Sequence, residues 1–346
     1  MASPEEKNLQ GDADGRRPRP AAGPGRRRPE AREVTRPRAR QVPAPTLSVV
    51  IPTFNRLSFL PEAISSVLSQ TWAAPASHAG RGDARQAPLL EIIVVDDGST
   101  DGTPEYLADA AAAAPEVIRV VTLTHGGTPG RARNAGVAAA RGDLIAFLDA
   151  DDLWRSDKLE GQMALHRPKA AAVLSHTRET WLRGRRIVSQ AGQEHLREGE
   201  VFADALHKCI IGPSTTVMER RVFEELGGFR EDLEVAEDYE LWVRLTHRHP
   251  VAYVDEELTI KRAGHGDQLS ERYGAIEFFR IQGLRDLVEG GAFEDVPEHA
   301  RAAARTLARK CRIYAQGCAK RGRLEEAQEY REAARFYERR EGRTTG

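Results

Sequence analysis

The stretch that most constrains this chain is Leu144-Ile145-Ala146-Phe147-Leu148-Asp149-Ala150-Asp151-Asp152-Leu153-Trp154. Five apolar residues are followed by three carboxylates within four positions. A short apolar run bounded by Gly142 predicts a buried strand with the acids at its carboxyl end. Open α/β sheets bind their ligands at that end. Carboxylates one residue apart at a strand end suit a hard divalent cation, Mg²⁺ or Mn²⁺, with substrate phosphates as the remaining ligands. A solvated acidic turn would read the same locally, so the surrounding sequence has to decide.

Two other apolar segments precede it, and the second of them also ends in acids. Leu47 to Ile51 is β-branched and runs into Pro52-Thr53-Phe54-Asn55-Arg56, followed by helical spacing from Leu57 to Thr71. Leu89 to Val95 is apolar except for Glu91, and Asp96-Asp97-Gly98-Ser99-Thr100-Asp101 closes it. Thr103 or Asp101 is placed to cap the next helix, which Pro115 stops. Val117 to Leu123 predicts a third strand. Gly126-Gly127-Thr128-Pro129-Gly130 then leads into a helix carrying Arg131, Arg133 and Asn134. That turn lacks both the Gly-Lys-Ser/Thr ending of a phosphate loop and the spacing of a dinucleotide fingerprint. Strands alternating with helices from Leu47 to Asp152 predict an α/β domain with a largely parallel sheet.

Beyond Trp154 the spacing predicts a helix over Lys158 to His166, strands at Ala171 to Ser175 and Ile210 to Val217, a hairpin at Thr180 to Val188, and a helix over Arg221 to Leu226. A helix from Glu237 to Thr246 carries Glu237 and Asp238 at its positive end, where a carboxylate stays ionised. Val251 to Val254 and Leu258 to Lys261 continue the sheet, and His265 lies in a polar loop after them. The chain reads as helical from Tyr273 to Glu341, with an αα-hairpin that resembles half a tetratricopeptide unit.

At 346 residues and 40% hydrophobic content the chain can form a real core. Residues 1–45 are the exception: rich in Arg, Pro, Gly and Ala, they cannot bury enough surface to offset ordering, and a disordered tail is expected. An exposed insertion is expected at 73–88. Lys and Arg (51) nearly balance Asp and Glu (52), so nothing in the charge argues for nucleic acid. Three unpaired cysteines and no run of about 20 apolar residues make a cytoplasmic location the expectation. Trp154 and Trp242 are read as core residues in preference to sugar platforms.

Taken together, Val50 to Arg56, Val94 to Asp101, Ala132-Arg133-Asn134-Ala135-Gly136, Phe147 to Asp152 and Glu237-Asp238-Tyr239-Glu240-Leu241 resemble, in order, the motifs of the family 2 glycosyltransferases. The resemblance implies the GT-A fold over 46–268, one Rossmann-like nucleotide-binding sheet, with 269–346 as a helical C-terminal extension. It implies transfer of a sugar from a nucleotide diphosphate, UDP favoured, with inversion at the anomeric carbon. Position by position, it puts Pro52, Thr53, Arg56 and Asp97 at the nucleobase and Asp149 at the ribose. Arg131, Arg133 and Asn134 would support nucleotide or phosphates. Asp151, with His265, would ligate a divalent metal, Mn²⁺ or Mg²⁺. Asp238 would be the general base and Glu237 its supporting acid. The acceptor implied is a saccharide or lipid-linked intermediate, reached by a soluble chain or one held peripherally at a membrane. A non-catalytic nucleotide-sugar scaffold working through its helical hairpin is the rival reading, and intact Asp151 and Asp238 argue against it.

Overall fold

The computed structural model describes residues 46–73, 90–167, 170, 172–184, 186–189, 195–264, 266 and 276–341. The tail, most of the 73–88 insertion and His265 lie outside these residues. The sheet starts as the sequence predicts. β1 (Leu47–Thr53) pairs in parallel with β2 (Leu90–Asp96) on one side and β4 (Leu144–Phe147) on the other, and β2 pairs in parallel with β3 (Ile118–Thr122). The carboxyl ends of these strands therefore lie side by side, which puts Thr53, Asp96 and the Asp149 turn along one edge.

The central strands are covered on both faces, so they read as continuous apolar runs. Val49, Ile51, Ile92 and Val94 face α1 (Leu60–Leu68) and α2 (Thr103–Ala113). Val50, Ile93 and Val95, their alternating neighbours, face α3 (Pro129–Ala139) and α7 (Glu237–Arg248) with Val137 and Trp242. Trp154 and Trp242 are buried as expected. Between them lie α4 (Lys158–Met163), α5 (Phe202–His207) and α6 (Arg220–Glu225). α3 comes unusually near β1: a Cβ on Gly136 would lie 2.3 Å from Val50 Cγ1. Any larger residue there would push the helix off the sheet, at a cost of about 1–3 kcal/mol. This approach sets the height of Arg133, one turn earlier.

The second half is antiparallel and mixed. β8 (Val217–Glu219) pairs with β4 and with β6 (Leu174–Arg183), and β6 pairs in parallel with β9 (Ala252–Ala263). β5 (Leu153–Trp154) pairs with β9, and β7 (Arg186–Val188) with β6, giving the order β3-β2-β1-β4-β8-β6-β9-β5. Three expectations are corrected here. Ile210 to Val217 is not a strand, because Pro213 has no N–H for a ladder and starts a 3₁₀ turn at Pro213–Thr215. The hairpin expected at Thr180 to Val188 is present as β6 and β7, but its first strand is not separate from the short strand expected before it: both belong to the ten-residue β6. The two strands expected at Val251 to Val254 and Leu258 to Lys261 are likewise one, β9 (Ala252–Ala263).

The C-terminal helices α8 (Ile276–Glu289), α9 (Pro297–Lys320) and α10 (Leu324–Glu341) follow. Ile281, Leu284, Leu307, Cys311, Tyr330 and Tyr337 share one cluster with Phe202 and Leu206 of α5 and Tyr239 and Val243 of α7. Among the described residues, no helix is long and apolar enough to cross a membrane.

Candidate active site

The acids after β4 have three different environments. Asp152 is buried: it accepts the Ser214 hydroxyl at 2.7 Å and the Arg262 N–H at 3.3 Å. Burial lifts its carboxyl well above the usual range, and Asp149 and Asp151 add to this against Lys261. Ser214 Oγ also accepts the Asp149 N–H at 3.1 Å, so one hydroxyl fixes both ends of the turn. The Asp151 carbonyl accepts from Arg262, whose guanidinium pairs with Glu62 of α1. Asp152 therefore shapes the turn, and Asp149 and Asp151 are the more accessible pair.

Arg133 joins this turn to a segment about ninety residues later. One terminal nitrogen donates to Asp149 Oδ1 at 2.6 Å and the other pairs with Glu237, while the Arg133 side chain is only 6% exposed. Burial works against charge here, yet Asp149 and Glu237 hold the guanidinium protonated. Arg133 and Lys261 in turn keep the Asp149 carboxyl below its ordinary range despite burial. Burial pushes Glu237 up to about 7, with Asp238 acting in the same direction and Arg133 against it.

Glu237 and Asp238 open α7, and the preceding Ala236 has φ +66°. That left-handed geometry is costly for a residue with a Cβ, and it turns the chain sharply into the helix. Asp238 is partly exposed at the positive end of the helix. Its Oδ2 accepts the Cys209 thiol at 3.4 Å and its Oδ1 the Tyr239 N–H at 2.7 Å. Asp149 and Glu237 thus lie to either side of one arginine, with Asp238 next in the chain.

At the end of β2, Asp97 is buried, and its carboxylate accepts the N–H groups of Gly126 and Gly127 at about 3.1 Å. His125 Nδ1 is 2.8 Å from the same carboxylate, and Arg131 lies 3.5 Å away while donating to the Thr124 carbonyl. The glycine turn is therefore tied to Asp97. Phe54 stacks on His125 with ring centroids 3.9 Å apart. Thr53 Oγ1 is buried with no hydrogen-bond partner among the described residues, and Arg56 reaches the Asn55 carbonyl at 3.3 Å. Pro52 is half-buried beside Thr53. These residues gather at the β1–β2 end of the sheet. Asn134 does not join them: its amide is used on the Phe229 backbone in both directions and on Glu231, fastening the loop before α7. Asp101, by contrast, accepts the Thr103 N–H and hydroxyl at the start of α2, as the sequence predicts.

Sequence reasoning missed a further group, one whose lysine feels the charge of Asp238. Glu179 and Trp181 of β6 and Lys261 of β9 share one sheet face, Trp181 and Lys261 being direct partners. The ladder slips on either side of Arg178, an irregularity that re-aims side chains beside sites. Lys261 stands 3.9 Å from Glu179 and 5.3 Å from the Trp181 ring centre. Burial opposes its charge, but Glu179, Asp152, Asp149 and Asp238 together hold the ammonium well above its ordinary range. A tryptophan two residues after a glutamate, away from every motif, was the only signal available.

The family model described as glycosyl transferase family 2 matches residues 48–227, just over half the chain and ending short of Glu237. An uncharacterized glycosyltransferase of Rickettsia conorii is 31% identical over 220 residues, which is 64% of this chain and 33% of that protein. The chain thus spans about a third of the length of the Rickettsia relatives it matches first. TuaG of Bacillus subtilis, named for teichuronic acid biosynthesis, is 32% identical over 60% of this chain and 75% of its own. Among solved structures, TarS 1-349 of S. aureus in complex with UDP-GlcNAc has a TM-score of 0.54 at 16% identity, covering 84% of this chain and 91% of that one. The mannosyltransferase PcManGT of Pyrobaculum calidifontis, in complex with GDP-Man and Mn²⁺, reaches 0.50 at 20% identity over 84% and 86%. These likenesses carry the fold, a GT-A sheet followed by C-terminal helices. The motif order, the sheet topology and the family match agree that this chain belongs to glycosyl transferase family 2.

Proposed function

We propose that this chain transfers a sugar from a nucleotide diphosphate, UDP favoured, to an acceptor hydroxyl with inversion at the anomeric carbon. The observation that carries the reading is the Arg133 bridge between Asp149 and Glu237, which sets the donor-side acids and the start of α7 around one cleft. Asp238 takes the acceptor proton as its oxygen attacks the anomeric carbon, and the bond to the diphosphate breaks on the opposite face. Cys209 and the Tyr239 N–H hold that carboxylate in one orientation. Thr53, Arg56 and Asp97 take the nucleobase end.

Among the described residues, no group of three or more His, Cys, Asp or Glu side chains is arranged to hold a metal. The donor set still fits a cation bound largely through substrate: Mg²⁺ and Mn²⁺ on nucleotides use one or two carboxylates and the phosphates themselves. Asp151 is the residue that would hold it, with Asp149 at the ribose. Held there, the ion would supply positive charge to offset that of the departing diphosphate. TarS and PcManGT, as complexes with UDP-GlcNAc and with GDP-Man and Mn²⁺, support a nucleotide-sugar donor and leave the base open.

The test is turnover of UDP- and GDP-sugars with the anomeric configuration of the product read by NMR. Asp238→Asn and Asp151→Ala are each expected to lower the rate by about 10²-fold or more, and EDTA to do the same until Mn²⁺ is restored. Undiminished turnover in both variants, or retention at the anomeric carbon, overturns the mechanism.

A further inference from the structure

We infer that Gly212, Glu179, Lys261 and Trp181 form the subsite that receives a pyranose acceptor beside Asp238, a step that rests on the transferase reading above. Gly212 has φ −84° and ψ 136°, which any residue adopts, so its backbone does not call for glycine. Space does. A Cβ at 212 would lie 3.0 Å from Glu179 Oε2 and 3.2 Å from Lys261 Nζ, in the gap between them. Glu179 Oε2 is shielded and has no hydrogen-bond partner among the described residues, and the 3.9 Å to Lys261 Nζ is too long for one. Such an orphaned acceptor costs stability unless something meets it.

When the flexible lysine stem moves slightly aside, one hydroxyl about 2.8 Å from each atom serves both, donating to the carboxylate and accepting from the ammonium. Water would satisfy the same pair, and Trp181 is what distinguishes a sugar. Its indole N–H donates to Glu179 Oε1 at 2.6 Å, so the partly exposed ring is already fixed and loses little freedom when the C–H face of a pyranose stacks on it. The subsite is next to the proposed base: Cys209, which bonds Asp238, is three residues before Gly212.

Saturation-transfer NMR on the full chain with methyl β-D-glucopyranoside and methyl N-acetyl-β-D-glucosaminide, with UDP present, tests this. The native protein should saturate the ring protons of at least one. Gly212→Ala and Trp181→Ala should weaken binding by about tenfold or more, and Trp181→Phe should keep most of it. Cooperative thermal unfolding checks each variant, and if Trp181→Ala does not fold, Gly212→Ala decides alone. Unchanged affinity in Gly212→Ala, or no saturation of either pyranoside by the native protein, overturns the subsite. Stabilisation by UDP, read on the same samples, separates the two readings: its absence alongside intact pyranoside binding would remove the donor assignment and leave the sugar site.

Discussion

Two basic side chains sit among the acids of the β4 turn and the start of α7, and their surroundings differ. Arg133 meets one carboxylate with each terminal nitrogen, Asp149 on one side and Glu237 on the other, and is nearly sealed. Lys261 feels the charge of four acids, yet its ion pair with Glu179 is 3.9 Å long. The planar guanidinium fork suits a fixed bridge, and the flexible ammonium suits a contact that forms with a ligand. Both terminal nitrogens of Arg133 are already paired in the folded chain, whereas the Lys261 side is the one proposed above to be completed by a substrate.

That contrast predicts unequal costs. Arg133→Met strands two acids in a buried place and should destabilise by about 3–5 kcal/mol in urea unfolding. Lys261→Met should cost under about 2 kcal/mol, because Asp149 keeps Arg133 and Asp152 keeps Ser214. Equal losses would erase the distinction. Acid should open the Lys261 side first. His176, on the same strand as Glu179, is buried against the Arg197 carbonyl, and burial lowers its pKa from 6.5 to about 4. As pH falls from 6.5 to 4, the unfolded chain takes up a proton that the folded chain refuses. Stability therefore drops across that window, by about 3 kcal/mol at its lower end, and amide exchange should rise in β6 before β4. His176→Gln should flatten the slope. A smaller effect is expected at Ala236, whose positive φ glycine adopts without strain: Ala236→Gly should stabilise by up to about 1 kcal/mol. The least effect on stability belongs to Gly212→Ala, within about 0.5 kcal/mol, since the atoms in its way are the ends of movable side chains.

The Arg133 side of the cleft was legible in the sequence and the Lys261 side was not, for a physical reason. β1, β2 and β4 are covered on both faces, so they appear as nearly continuous apolar runs, and the ends of β2 and β4 mark acids directly. Arg133 came into view only through the motif resemblance over Ala132 to Gly136, which put it at nucleotide or phosphates and gave no sign of its bridge to Glu237. Glu179, Gly212 and Lys261 come from three separated segments, and they meet only because β6 and β9 pair with a shifted ladder. No local period encodes that shift. Pro213 misled for a related reason: the apolar run around it has the composition of a strand, and only its missing N–H says otherwise. Asn134 lies inside a recognisable motif, yet its amide serves the chain's own backbone.

The C-terminal helices do not simply follow the sheet; Tyr239, one residue after Asp238, is buried among them, with its hydroxyl donating to the Leu206 carbonyl. A chain cut back to the segment before α8 would thus leave the helix that bears the proposed base with one wall missing. Anything that grips α9 from outside would reach the helix carrying the proposed base through this cluster, without touching the acids themselves.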